Sequence, residues 1–291
     1  MEIDATPLTD LSSKAEAQAF VNKARSSGTR LPVKVTDVVV TTSVVAGGGA
    51  LFVLLGVFNW AYAASRWQGV LGSVSFVVGV LLFLFAFFYG VPKIIGLARD
   101  QPRHLVVEQR FAAANDFDFF LSRFHAKPSF MGILFRLGVD RVSFEVMKSN
   151  RLPFVEWGNY RYSFVHNRGR NRTPIGWGYL RVPMAKRAPD ALFCLSQVKQ
   201  MRRLTRFELP QSREPLGAFD VFCEAADRPA ATAVLDADTL ELLRLHKFSF
   251  EFADGYFSAY KAGLFRLWKP DTVLLLADVV SRIEGSHRAD N

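Results

Sequence analysis

Cysteine is scarce: Cys194 and Cys223 are the only two in 291 residues, and they do not form a C-x-x-C pair. That spacing excludes a zinc ribbon and a thioredoxin-like redox motif. It leaves two small buried hydrophobes of a reducing compartment. The five histidines (His104, His125, His166, His246, His287) are scattered, with no H-x-x-x-H or H-E-x-x-H pair. No metal or other cofactor is therefore expected. A G-x-S-x-G nucleophile elbow is missing. The glycines at 47–49 lack the G-K-[ST] of a phosphate loop. Asp116 with Asp118, and Asp236 with Asp238, are close carboxylates, but each pair stands at an expected helix end. Capping or solvation explains them without acid–base chemistry.

Charge is the second absence. Residues 38–65 and 67–92 carry no Asp, Glu, Lys, Arg or His. At about 1.5 Å per residue the first run reaches roughly 40 Å, more than the roughly 30 Å hydrocarbon core of a bilayer. A pair of transmembrane helices is expected, spanning about residues 38–62 and 69–92, with Pro92 and Lys93 ending the second. Only Ser65, Arg66, Trp67, Gln68 and Gly69 separate the runs, so the helices are antiparallel neighbours. Trp60, Tyr62 and Trp67 gather at that end, where an interfacial aromatic belt belongs. The lack of intramembrane charge argues against a self-sufficient pump or carrier. Small residues cluster in both runs and suit close packing of the hairpin on itself, or self-association.

Lys23, Arg25, Arg30 and Lys34 precede the first run, Lys93, Arg99, Arg103 and Arg110 follow the second, and Arg66 alone lies between them. The positive-inside rule then gives a multi-pass plasma-membrane protein with both flanks in the cytoplasm. Ala61, Tyr62 and Ala63 resemble a signal-peptidase site, but the run before them is too long for a signal sequence. The net charge of +9 reads first as an Arg-rich solvated surface, then as affinity for the anionic inner leaflet. Nucleic acid is not an expected partner.

The polar arm, residues 1–37, is expected to hold one short helix, begun by a capping box at Ser13 and Glu16, and otherwise to be a lead-in. From residue 98 to 291 the pattern is α+β. Leu105, Val106, Phe111, Ala112 and Phe119 suggest a helix over 101–122. Alternation over Val142, Phe144 and Val146, and again over Tyr160, Tyr162 and Phe164, predicts strands. Residues 167–174 predict a hairpin connection. A basic stretch holds Lys199, Arg202, Arg203 and Arg206. Phe219 to Phe222 reads as a strand, Asp236 as a helix cap, and Asp254-Gly255 as a two-residue turn between strands. A last amphipathic helix runs over 271–283.

Several of these segments look familiar. Phe111 to Asn115 (FAAAN), Gly158 to Tyr162 (GNYRY), Trp177 to Leu180 (WGYL), residues 219–243 and the hairpin at 250–257 resemble a family of uncharacterised bacterial two-span membrane proteins. Their soluble part is a cytoplasmic domain of unknown function. The resemblance covers about residues 38–265 and is most specific over 158–180. It implies architecture, with no catalytic residues to carry over. A glycine often follows the FAxxN element in that family, whereas Asp116 stands here.

The expectation is thus an α+β protein: a two-helix transmembrane hairpin followed by a cytoplasmic antiparallel-sheet domain with a few helices. Its divisions are 1–37, 38–97 and 98–291. Its expected role is that of a membrane-anchored interaction module without recognisable catalysis. The alternatives are a membrane-tethered enzyme whose site is assembled from distant residues, and an accessory subunit of a transporter. Candidate contacts to anionic lipid headgroups are Lys93, Arg99 and Arg103. Arg168, Arg170 and Arg172 form a basic hairpin tip. The partners implied are the bilayer, its anionic inner leaflet, and an unidentified protein or a second copy.

Overall fold

The computed structural model describes residues 3–10, 12–27, 36–62, 66–124, 132–151, 154–166, 171–184, 188–195 and 213–288. The chain divides into two compact units. One holds Met1–Ser13, Asn22–Pro32 and Leu105–Asn291; the other holds Lys14–Val21 and Val33–His104. Helix α1 (Lys14–Ser26) crosses from one to the other.

The second unit is built on α2 (Thr36–Ala61) and α3 (Arg66–Phe85). Within them, Thr42–Ala61 and Trp67–Gly90 are long and apolar enough to cross a membrane. Their outer surfaces expose Leu51, Leu54, Phe58, Leu71, Leu81 and Phe88, as a lipid-facing surface would. Trp60, Tyr62 and Trp67 at the connected ends are 72%, 72% and 78% exposed. Glycine makes the seam between the helices. A Cβ on Gly56 would stand 2.6 Å from the Phe76 nitrogen and 2.8 Å from the Gly72 oxygen. One on Gly79 would stand 2.6 Å from the Val53 nitrogen and 2.7 Å from the Gly49 oxygen. Gly49 faces Gly79 and Gly56 faces Gly72, in antiparallel register, so backbone meets backbone.

Helix α3 passes through a π turn at Ala86–Gly90, where Val91 N–H donates to Ala86 O, into α4 (Val91–Ala114). Pro92 and Lys93 therefore do not end the helix. The π turn shifts the hydrogen-bond ladder directly ahead of Pro92, and the helix continues past a residue that has no N–H to give. Pro102 also lies inside α4.

In the first unit, α4 stops at Ala114, short of the expected residue 122. Asn115 donates from Nδ2 to Phe111 O at 2.9 Å, and Asp116 takes φ of 59°. A left-handed residue just past a helix releases the chain into a new direction. Here that direction is strand β1. Nine strands form one antiparallel sheet among the described residues, in the order β1-β2-β3-β4-β9-β8-β5-β7-β6. They are β1 (Phe117–Phe124), β2 (Val139–Ser149), β3 (Glu156–His166), β4 (Asn171–Pro183), β5 (Ala191–Leu195), β6 (Arg213–Leu216), β7 (Phe219–Cys223), β8 (Phe248–Ala253) and β9 (Tyr256–Ala262). The α+β expectation holds. The β3–β4 hairpin pairs from Glu156 with Arg181 up to His166 with Asn171, so residues 171–174 belong to the strand rather than the connection. The β8–β9 turn takes φ of 52° at Asp254 and 78° at Gly255, which the primed hairpin turns require.

Among the described residues, four helices follow in this unit: α5 (Ile133–Arg136), α6 (Arg228–Thr232), α7 (Ala237–Leu245) and α8 (Pro270–Arg288). Asp236 caps α7, its Oδ1 accepting from Thr239 N–H at 2.6 Å. One sheet face, with Trp157, Leu180, Phe193, Phe248, Phe250 and Phe252, shares a core with residues of α4, α7 and α8. The arm expected over residues 1–37 is not all lead-in: Leu8 is buried in that core and Ile3 packs against it.

Candidate functional site

The other sheet face mixes polar residues with aromatic and aliphatic ones and is nevertheless buried. Glu156 is opposite Arg181, Arg181 opposite Ser258, and Ser258 opposite Glu251, one row across four strands. The next row places Gly158, Tyr179, Tyr260 and Ser249 side by side. Directly opposed residues of antiparallel strands share a face. Two carboxylate–tyrosine pairs therefore flank one guanidinium. Tyr179 OH donates to Glu156 Oε1 at 2.7 Å, and Tyr260 OH donates to Glu251 Oε1. Glu156, Glu251, Tyr179, Tyr260 and Ser258 are all buried.

Helix α5 covers this patch. The Phe135 ring stands edge-on to Tyr160, Tyr179 and Tyr260, with centroids 4.8, 5.2 and 6.0 Å away. Tyr160 OH donates to Phe135 O at 3.3 Å. Arg141 secures the chain leaving α5, donating from Nη2 to Arg136 O at 2.9 Å and from Nε to Gly138 O at 3.0 Å. Gly132 is required at the edge of this cover, because a Cβ there would strike Glu251 Oε1 and the Tyr260 hydroxyl.

Electrostatics make this network a holder of protons. Burial, and then the Glu156 carboxylate, push the Tyr179 hydroxyl well above its ordinary range; burial and Glu251 do the same to Tyr260. Arg181 opposes both shifts but does not overcome them. Tyr162 is pushed up to about 12 by burial, and Tyr160 upward for the same reason. All four tyrosines are thus neutral at ordinary pH, Tyr179 and Tyr260 as donors to carboxylates. The neighbouring Cys194 thiol is raised by burial and by Glu251 and Asp220, the opposite of an activated nucleophile. The Ser249 hydroxyl accepts from Leu195 N–H at 3.1 Å and holds β8 to β5. Among the described residues no group of three His, Cys, Asp or Glu is placed to hold a metal ion.

Gly158, Asn159 and Gly178, in the segments quoted for the family resemblance, make packing and strand-linking contacts. Gly158 lies against β2, where a Cβ would come within 3.0 Å of the Val146 Cα. Asn159 donates to Glu145 Oε2 at 2.7 Å and accepts from Phe265 N–H at 2.6 Å, tying β3 to the chain beyond β9. Gly178 leaves room for the Phe265 ring. Of the basic tip, Arg168 and Arg170 lie outside the described residues, and so does the basic stretch 199–206. Arg172 pairs with Val165 in the β3–β4 hairpin. Lys93, Arg99 and Arg103 all fall on α4, Arg99 and Arg103 one turn apart. Of the paired carboxylates, Asp236 is a cap, Asp118 accepts from Asn150 Nδ2 at 3.3 Å, and Asp116 pairs with Arg151 at 2.7 Å.

The Glu156–Arg181–Glu251 row was not foreseen from the sequence. Its trace there is the polar partner of each alternation, Ser249 and Glu251 between Phe248, Phe250 and Phe252. That pattern reads as a solvent face until α5 is placed over it. Comparisons with protein-family models, curated proteins and solved structures give no match for this chain.

Proposed function

We propose that this chain is a membrane-anchored interaction module, a two-span hairpin holding an α+β domain in the cytoplasm. The domain binds a protein partner or the inner leaflet, without recognisable catalysis. One observation carries the reading. The first unit is assembled from residues that precede the first apolar helix and residues that follow the second. A chain that leaves one side of a bilayer and returns to build the same core crosses it an even number of times. Two crossings match the two apolar helices. The sidedness rests on the basic residues of both flanks against Arg66 alone in the link. Lys93, Arg99 and Arg103 follow the second span, where each basic side chain adds about 1 kcal/mol of attraction to an anionic leaflet. The sequence holds no recognised catalytic motif, and the buried hydroxyls of Tyr179 and Tyr260 keep their protons. The family resemblance adds the same architecture and nothing about activity.

Both native thiols are buried, so single introduced cysteines report sidedness with a membrane-impermeant maleimide. Tyr62→Cys is expected to react on intact cells, and Thr9→Cys and Glu241→Cys only after lysis. Labelling of Thr9→Cys and Glu241→Cys from opposite sides would sink the two-span reading. The interaction half is tested by crosslinking in the native membrane and by the lipid retained on purification. No reproducible partner, together with no preference for anionic over zwitterionic lipid, would remove it.

A further inference from the structure

We propose that residues 3–8 are an intramolecular strap, a peptide ligand that the body of the first unit captures although the two apolar helices separate them in sequence. The recognition is chemically specific. Asn115 stands at the end of α4, and its amide matches the backbone of one residue: Asp4 N–H donates to Asn115 Oδ1 at 2.7 Å, and Asn115 Nδ2 donates to Asp4 O at 2.9 Å. A primary amide offers one acceptor and two donors in a plane, so a single side chain reproduces a rung of a β-ladder. The second donor interaction goes to Phe111 O at 2.9 Å, which fixes the amide on the helix end.

The strap is shaped to enter. Asp4 Oδ1 accepts from Thr6 N–H at 2.9 Å, and a short 3-10 turn at Thr6–Leu8 follows. That turn sends Leu8 into the core cluster that holds Phe111, Phe117 and Trp157, with Ile3 packed against it. The ligand class is therefore a short segment with apolar residues at its first and sixth positions, a backbone rung at the second that meets the Asn115 amide, and a 3-10 turn over the last three. The first unit is interrupted in sequence, because the two apolar helices separate residues 3–8 from Asn115 along the chain. This inference rests on the two-span reading only in requiring both flanks on one side of the bilayer.

Hydrogen exchange on the full chain in lipid nanodiscs tests it. Peptides over residues 3–9 are expected to exchange slowly, because the amides of Asp4, Thr6, Leu8 and Thr9 are all bonded. Asn115→Asp removes the donors and sets a carboxylate against the Asp4 carbonyl, and it should speed exchange there by about tenfold or more. Leu8→Asp, made on the strap itself, should do the same while strands β3, β4, β8 and β9 stay protected. It keeps the test open if Asn115→Asp disturbs the body. Exchange of residues 3–9 at the rate of an unstructured chain in the unsubstituted protein overturns the strap. So does protection that ignores both substitutions. If the strap is unprotected while Thr9→Cys and Glu241→Cys label from one side, the strap alone falls and the two-span reading stands.

Discussion

Tyr160, Tyr162, Tyr179 and Tyr260 sit on one buried sheet face, and all four hold their protons above the ordinary tyrosine range. The sign of the consequence follows from linkage. Below about pH 10 both folded and unfolded chains keep these protons, so the shifts add no pH dependence there. Above it the unfolded chain releases protons that the folded chain keeps, and stability falls, for Tyr162 through about 12. Each such tyrosine contributes a slope of about 1.4 kcal/mol per pH unit. The thermal stability of the first unit should therefore collapse steeply above pH 10. Phenolate absorbance from these four should appear with unfolding rather than before it; early titration in the folded protein would refute the buried network. A second expectation concerns one pair. Tyr260→Phe takes a donor from the buried Glu251 carboxylate and should cost about 1–3 kcal/mol in denaturant unfolding. Adding Glu251→Leu should recover part of that loss, since an apolar pair leaves no carboxylate to satisfy. The aromatic half of this face was legible in the alternation of Tyr160 and Tyr162. Its burial was not, because α5 is four residues long and has no periodicity to read.

At the scale of the elements, the apolar runs announced the hairpin, and composition alone showed small residues on both helices. It did not show which of them face inward. Gly49, Gly56, Gly72 and Gly79 form the seam, while Gly47, Gly48 and Gly69 meet nothing within 4 Å. The distinction lies in antiparallel register, a property of two helices together rather than of either one. It gives a paired prediction. Gly56→Ala drives a methyl into the backbone of Phe76 and must push the helices apart. Gly47→Ala meets open space and gains about 1 kcal/mol of helix propensity. In detergent, Gly56→Ala should lower the resistance of the hairpin to unfolding and Gly47→Ala should leave it unchanged or raise it. Equal effects would mean that the seam is elsewhere. The continuation of the helix through Pro92 was hidden for a related reason. A proline signals a helix end from sequence, and only the π turn at Ala86–Gly90 explains why it is not one.

For the molecule as a whole, the order of segments conceals the domain. Periodicity finds elements whose partners are nearby, and the Asp4–Asn115 contact joins residues 111 positions apart with two apolar helices between them. A polar arm of residues 1–37 was a fair reading of local composition, yet Leu8 belongs to the core of a sheet that begins at Phe117. The interruption has an energetic consequence. Truncating a buried leucine costs about 2–5 kcal/mol, and the low end applies where the site lies near the surface and can collapse. Leu8→Ala should therefore destabilise the first unit by about 2 kcal/mol in the full chain, although residue 8 is far in sequence from every described strand. Asp10→Ala, two residues on and exposed, should stay within about 0.5 kcal/mol. Urea unfolding followed through the buried Trp157 and Trp177 reads the difference, since both indoles sit in this unit. A shift for Leu8→Ala no larger than that for Asp10→Ala would show that the core is complete without the strap.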